Sequence, residues 1–210
     1  MRYILISNGD FAAETAGKID WNESVKICVD GGARHFKELG IDPDMIIGDL
    51  DSADRDTVDY FRDRGVEVLR HPSKKDKTDT EIAVEYALEN GASEILLLGS
   101  TGSRVDHMMG NINLLHRLKA QNISAKMVDA ENEISIISGE YELEMDENYK
   151  YISLIPYGGE VKAVTLRGFE YELTERDFTV SDTLGISNEI ASGRAHISIG
   201  SGEMMLIKSR

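Results

Sequence analysis

The segment Gly48-Asp49-Leu50-Asp51-Ser52 places two carboxylates two residues apart, directly after the apolar run Met45-Ile46-Ile47. Residues two apart on a strand face the same side, so a strand here aims both carboxylates into one volume. Such a pair repels itself unless a metal, a cationic group or a shared proton lies between them. The plainer alternative is that Asp51 or Ser52 caps the next helix. The pattern recurs along the chain. Asp30-Gly31-Gly32-Ala33 follows the apolar residues 25–29, and two glycines ahead of a helix permit a sharp turn and close approach of a ligand. Residues 71–79 carry Lys74, Lys75, Asp76, Lys77 and Asp79, either as a solvated loop or as one that brings lysines to phosphate and aspartates to a site. Thr78-Asp79-Thr80-Glu81 also fits a capping box, with Glu81 reaching back to the helix start. After residues 94–98 comes Gly99-Ser100-Thr101-Gly102-Ser103-Arg104-Val105-Asp106-His107. Its backbone N–H groups and Arg104 can bind phosphate, but it has the spacing of neither a P-loop nor a dinucleotide fingerprint.

The elements that must position these residues follow from hydrophobic period. Apolar runs at residues 2–7, 25–29, 45–47, 66–69, 94–98 and 125–128 alternate with helix-like stretches at 11–19, 33–39, 52–64, 78–90 and 104–120. Regular alternation with short loops predicts a parallel sheet covered on both faces. Asp30, Asp49, Asp51, Asp76, Asp79 and Asp106 all follow strands, and in a parallel sheet those points share one edge, where ligands gather. This placement predicts a metal-assisted site. Magnesium takes only one or two protein carboxylates beside phosphate oxygens and water, so some of the six acids must do other work. From about residue 129 the period changes to alternation. Short runs at 134–136, 141–145, 151–155, 161–166, 178–180, 195–199 and 204–207, with turns expected at Gly139, Gly158-Gly159, Gly168, Gly185, Gly193 and 200–202, predict a small antiparallel sandwich or barrel. The expected domains are therefore 1–128 and 129–210, packed together without a flexible linker.

Bulk composition narrows the functional classes. A formal charge of -15 over 210 residues argues against non-specific nucleic-acid or anionic-membrane partners, and suits metal ions or a cationic small molecule. No run of about eighteen apolar residues is present to span a membrane, and residues 1–6 are too short for a secretory leader before Asp10 and Glu14. The single cysteine, Cys28, is expected as a buried thiol in a reducing, cytoplasmic setting. The five histidines have no ligand spacing, and no hydrolase triad or nucleophile elbow is legible.

Taken in order, Asp30-Gly31-Gly32-Ala33, Gly48 to Ser52, Asp76-Lys77-Thr78-Asp79, Gly99 to His107 with Asn111, and Ser187-Asn188-Glu189 resemble thiamine pyrophosphokinase. The resemblance spans essentially the whole chain. It implies an α/β Rossmann-like parallel sheet domain that binds the nucleotide, followed by an all-β antiparallel sandwich that binds thiamine. It also implies a homodimer with sites between subunits and transfer of pyrophosphate from Mg-ATP to thiamine, giving AMP and thiamine diphosphate. By motif match Asp49 and Asp51 fall to the metal, with Asp79 as the additional ligand or a water-mediated contact. Arg104, Asp106 and His107 shape the nucleotide and acceptor pockets. Gly31, Gly32, Lys75, Asp76, Lys77, Gly99, Gly102 and Asn111 belong to the nucleotide loops, and Ser187 and Asn188 to the thiamine rings. The chain departs from animal relatives in having no tryptophan near its carboxyl terminus: its only one is Trp21, and Glu203-Met204-Met205 stands in that neighbourhood. Two other readings share the same sheet edge, a metal-dependent nucleotide or sugar-phosphate hydrolase and a non-catalytic thiamine- or nucleotide-binding protein.

Overall fold

Six short apolar runs become strands β1 (Arg2–Ile6), β2 (Ser24–Val29), β3 (Met45–Gly48), β4 (Glu67–Arg70), β5 (Glu94–Leu98) and β6 (Ser124–Val128) in the computed structural model, which describes residues 1–51, 53–70 and 76–210. They pair in parallel in the order β4-β3-β2-β1-β5-β6. The register is level: Ile6 stands opposite Cys28 and Leu98, Val29 opposite Ile47, and Ile47 opposite Leu69. Whatever follows one strand therefore meets whatever follows its neighbour. These elements fall within one unit, Met1–Ala130; a second is Glu131–Arg210.

Helices α1 (Ala13–Ala16), α2 (Ala33–Leu39), α3 (Arg55–Asp63), α4 (Asp79–Glu89) and α5 (Val105–Ala120) connect the strands. Ile4, Ile6, Cys28, Ile46 and Leu98 pack with Phe36 of α2 and Phe61 of α3 in one core cluster. The alternate strand residues Leu5, Ile27, Ile47 and Leu97 are just as buried, and α4 packs across β1, β2 and β3. Burial on both faces is why these strands read as continuous apolar runs.

Three local expectations fail for identifiable reasons. The helix expected over residues 11–19 is a single turn, and the Trp21 indole donates to the Ala16 carbonyl (3.0 Å) as the chain leaves it, while Phe11 and Ile19 pack from loops. The cap of α3 is Asp54, whose carboxylate accepts from Thr57 N (3.1 Å) and Oγ1 (2.7 Å), and not Asp51; Ser52 lies outside the described residues. Thr78 does cap α4, accepting from Glu81 N at 3.2 Å. The Glu81 carboxylate, however, is taken by Arg117 at 3.0 Å, where an opposite charge outbids a backbone amide.

The second unit contains β7 (Asn132–Ile137), β8 (Glu140–Glu144), β9 (Tyr151–Arg167), β10 (Leu173–Phe178) and β11 (Arg194–Ser209), all antiparallel to their partners. The turns expected at Gly158-Gly159 and at 200–202 lie inside β9 and β11, so four expected strands merge into two long ones. Glycine here serves a bulge: the pairing slips between Ser201 and Glu203, Gly202 has φ +93°, and a Cβ on it would lie 2.7 Å from the Glu160 carbonyl. Residues 194–198 of β11 pair with β8 and residues 204–209 with β7. Both halves enclose one core that includes Ile137, Leu154, Val161, Leu166, Phe178, Ile197 and Met204. Among the described residues no helix is long and apolar enough to cross a membrane.

Candidate active site

Asp30 follows β2, Asp49 follows β3 and Asp79 opens α4, and one carboxylate oxygen from each lies within 4.8 Å of the others. Local conformation makes this possible. Asp30 adopts φ 49°, a left-handed state in which aspartate is more common than most residues. Gly48 passes so close that a Cβ on it would stand 3.0 Å from the Asp30 Cα, a tight contact that favours a residue without one. β3 ends at Gly48 and Leu50 turns at φ 64°, so strand alternation does not apply to Asp49 and Asp51. Asp51 instead donates its backbone N–H to Asp49 Oδ1 (3.0 Å) and stays exposed on the cleft wall. The structure thus groups Asp30, and not Asp51, with Asp49 and Asp79.

The glycines of the β2 loop approach their own chain closely. A Cβ on Gly31 would stand 2.5 Å from the Asn8 side chain, and one on Gly32 2.1 Å from the Ile6 carbonyl. The loops after β1 and β5 are laced together by Ser7 N to Leu98 O (2.9 Å), Gly9 N to Gly99 O (2.7 Å) and Asp10 N to Thr101 O (2.9 Å). Only glycine fits at two of these crossings: a Cβ on Gly9 would be 2.0 Å from Thr101 O, and one on Gly99 2.3 Å from Ser7 O. Buried side chains fix the laced pair from behind. Asn111 donates to Ser100 O (2.8 Å), and the Ser7 and Thr80 hydroxyls meet at 3.1 Å. His35 Nε2 donates to Gly9 O (3.0 Å), its ring edge-on to Phe11, and burial pushes its pKa down, so it is neutral at pH 7.

Together these loops enclose a cleft of about 700 Å³, the size of a drug- or nucleotide-sized ligand site. Gly99, Gly102, Arg104, His107 and Asn111 line it with the three clustered aspartates, as do Ser7, Asn8, Gly9, Asp10, Arg34 and Thr80, which motif spacing did not single out. Their signal was positional: Asn8-Gly9-Asp10 follows β1 as Asp30 follows β2. Gly31, Gly32, Asp76, Lys77 and Asp106 do not line the cleft. Lys77 is held by both Glu85 oxygens at 2.7 and 2.8 Å, which raises its pKa, and Asp76 is exposed. Arg104 is forked onto Asp106 (2.6 and 3.2 Å), which brings the Asp106 carboxyl down to about 2. Lys75 lies outside the described residues.

In the second unit Ser187 is exposed, with φ 58°. The Asn188 amide is buried and used internally, donating to Tyr171 O (2.8 Å) and accepting from Tyr171 N (3.0 Å) and Glu189 N (2.9 Å). Its side chain is a clamp on the Tyr171 segment, with its oxygen accepting twice and one amide N–H committed to the Tyr171 carbonyl. Met204, in the carboxyl-terminal stretch that lacks a tryptophan, is wholly buried in the core.

Residues 18–127 match the family model described as thiamin pyrophosphokinase, catalytic domain, and residues 140–204 match the one described as thiamin pyrophosphokinase, vitamin B1 binding domain. The chain is 36% identical over 184 residues to thiamine pyrophosphokinase of Bacillus subtilis (strain 168), covering 87% of this chain and 86% of that protein. The chain belongs to the thiamin pyrophosphokinase family. Its fold agrees with the crystal structure of the Bacillus subtilis thiamine pyrophosphokinase at a TM-score of 0.92 and 32% identity, over 100% of this chain and 99% of the other. Against the Geobacillus thermodenitrificans thiamin pyrophosphokinase the TM-score is 0.88 at 33% identity, over 100% and 98%. The reaction of thiamin pyrophosphokinases is transfer of pyrophosphate from ATP to thiamine, giving thiamine diphosphate.

Proposed function

We propose that the cleft of the first unit is where this chain carries out that transfer, with the triphosphate of ATP lying across the laced β1 and β5 loops and a magnesium ion held among Asp30, Asp49 and Asp79, one or two of them ligating it directly and the rest acting through water. The observation that carries the reading is the convergence of three carboxylates from separate sheet-edge loops within 4.8 Å. Their chemistry fits the ion: all three donors are hard oxygens, with no sulfur or imidazole among them. Bound there, a divalent ion neutralises polyphosphate charge and polarises phosphorus. The chain's own part is positioning, which dominates phosphoryl-type transfers: Gly9, Gly99 and Asn111 hold the loop backbones rigid, and the carboxylates fix where the charge of the polyphosphate is met.

The level parallel strand order supports a Rossmann-like description of this unit, and the vitamin B1 binding match at 140–204 supports the β-rich unit as the thiamine side, with Ser187 as its exposed polar contact. The family's arrangement, a homodimer with sites between subunits, is the proposed assembly. The charge of -15 suits a cationic thiazolium and disfavours nucleic acid or an anionic membrane as partners. The free buried thiol of Cys28 accords with a cytoplasmic location. Incubation with thiamine, ATP and magnesium tests the reaction, with AMP and thiamine diphosphate as the expected products. Formation of ADP, or nucleotide turnover that does not depend on thiamine, contradicts it.

A further inference from the structure

The cleft is rich in negative charge, with Asp10, Asp30, Asp49, Asp51 and Asp79 on its walls, and its described lining has two guanidinium groups, Arg34 and Arg104. Arg104 is already neutralised, its fork closed on Asp106. Arg34 differs. It sits on the first turn of α2, one turn beyond Asp30, and its Nη2 donates to the Asn8 carbonyl (2.9 Å) and more weakly to the Gly9 carbonyl (3.4 Å) at the end of β1. Carbonyls orient a guanidinium without cancelling its charge. Among the described residues it forms no ion pair, and the side chain is exposed to the cleft. Two backbone bonds use one of its three nitrogens, which leaves the remaining N–H donors of the fork for an incoming oxyanion.

We infer that Arg34 is a substrate-binding residue of this reaction, a pre-oriented cation that takes an oxygen of the β- or γ-phosphate of the nucleotide, in the role that motif spacing suggests for Arg104. The inference rests on the reading that the cleft receives the polyphosphate of ATP. A charged hydrogen bond to phosphate contributes enough to change affinity about ten- to a hundred-fold. The test compares binding of AMP, ADP and ATP, with magnesium, to the full chain and to Arg34→Gln and Arg34→Lys, together with KM for each substrate. Arg34→Gln is expected to weaken ATP about ten- to a hundred-fold and AMP by much less, to raise KM for ATP while leaving that for thiamine unchanged, and to be partly rescued by Arg34→Lys, which keeps the charge. Equal weakening of AMP, ADP and ATP, with no rescue by lysine, overturns the inference in favour of a role in holding the Asn8 and Gly9 carbonyls. Unchanged ATP affinity in Arg34→Gln overturns it too. If the unsubstituted chain binds no ATP, the reading of the cleft fails and the inference falls with it.

Discussion

Two acidic regions of this chain look alike in composition and behave differently in space. In the first unit, Asp30, Asp49 and Asp79 are 19 and 30 residues apart in sequence and bring carboxylate oxygens within 4.8 Å of one another. In the second, Glu140, Glu142 and Glu144 alternate along one strand only two residues apart, yet each is exposed and they do not cluster. Two of them are answered across the ladder instead. Glu144 meets Arg194 at 2.9 Å, and Glu140 meets His196 at 2.8 Å and the Ser198 hydroxyl at 2.8 Å. An antiparallel partner offers each side chain its own neighbour, so charge is distributed. A level parallel sheet sends successive loops off the same edge, so charge is concentrated.

The sharpest way to break this comparison is to remove charge from each region in turn. Asp49→Asn is expected to lower kcat by about a hundred- to a thousand-fold, the range for loss of a group aimed at transition-state charge, in an assay of AMP formation. In metal-free buffer the same variant should melt no lower than the parent, because one source of mutual repulsion is gone. Asp51→Asn, outside the cluster, should lose much less activity than Asp49→Asn; an equal loss would return Asp51 to the metal set.

Next in size is Gly9→Ala. Its Cβ would stand 2.0 Å from the Thr101 carbonyl, so the laced loops must part. Destabilisation of about 1–3 kcal/mol is expected in urea unfolding, together with a higher KM for ATP. Gly193→Ala provides a contrast: there a Cβ meets nothing within 4 Å, and only the φ of 61° is strained.

A smaller effect is expected where charge is exposed. Asp106, held by Arg104, should titrate at about 2 in carboxyl-detected NMR, and Arg104→Ala should return it to the ordinary range near 4. Because the folded-state pKa is depressed, the pair's contribution to stability is present above about pH 4 and is lost as pH falls through about 2. Smallest of all, Glu144→Gln should change stability by less than about 1 kcal/mol and leave turnover unaltered, since its ion pair with Arg194 is exposed on both sides. A large loss of activity there would mean that the second acidic region also belongs to the site.

The alternation of short apolar runs with helical stretches was enough to place six parallel strands and to identify their carboxyl ends as the place to look, because both periods are local properties. That reasoning put Asp30, Asp49 and Asp79 among six acids on one edge, without choosing among them. The same-side geometry expected for Asp49 and Asp51 failed because a strand rule was extended three residues past the end of β3, into a loop turned by Leu50. Lys77 and Arg104 are basic residues beside glycine-rich or acidic motifs, but no local pattern reveals that Glu85 and Asp106 already hold them. The merging of short runs into β9 and β11 was hidden for a related reason: a glycine in a strand and a glycine in a turn are the same letter.

By itself the sequence determined the six parallel strands, the change of period near residue 129 and the family, since those depend on neighbours along the chain. Only the tertiary structure decided which acids share a volume and which cations remain available to a substrate. Electrostatic interaction falls off with distance in space, and the register of a parallel sheet brings residues dozens of positions apart to the same point.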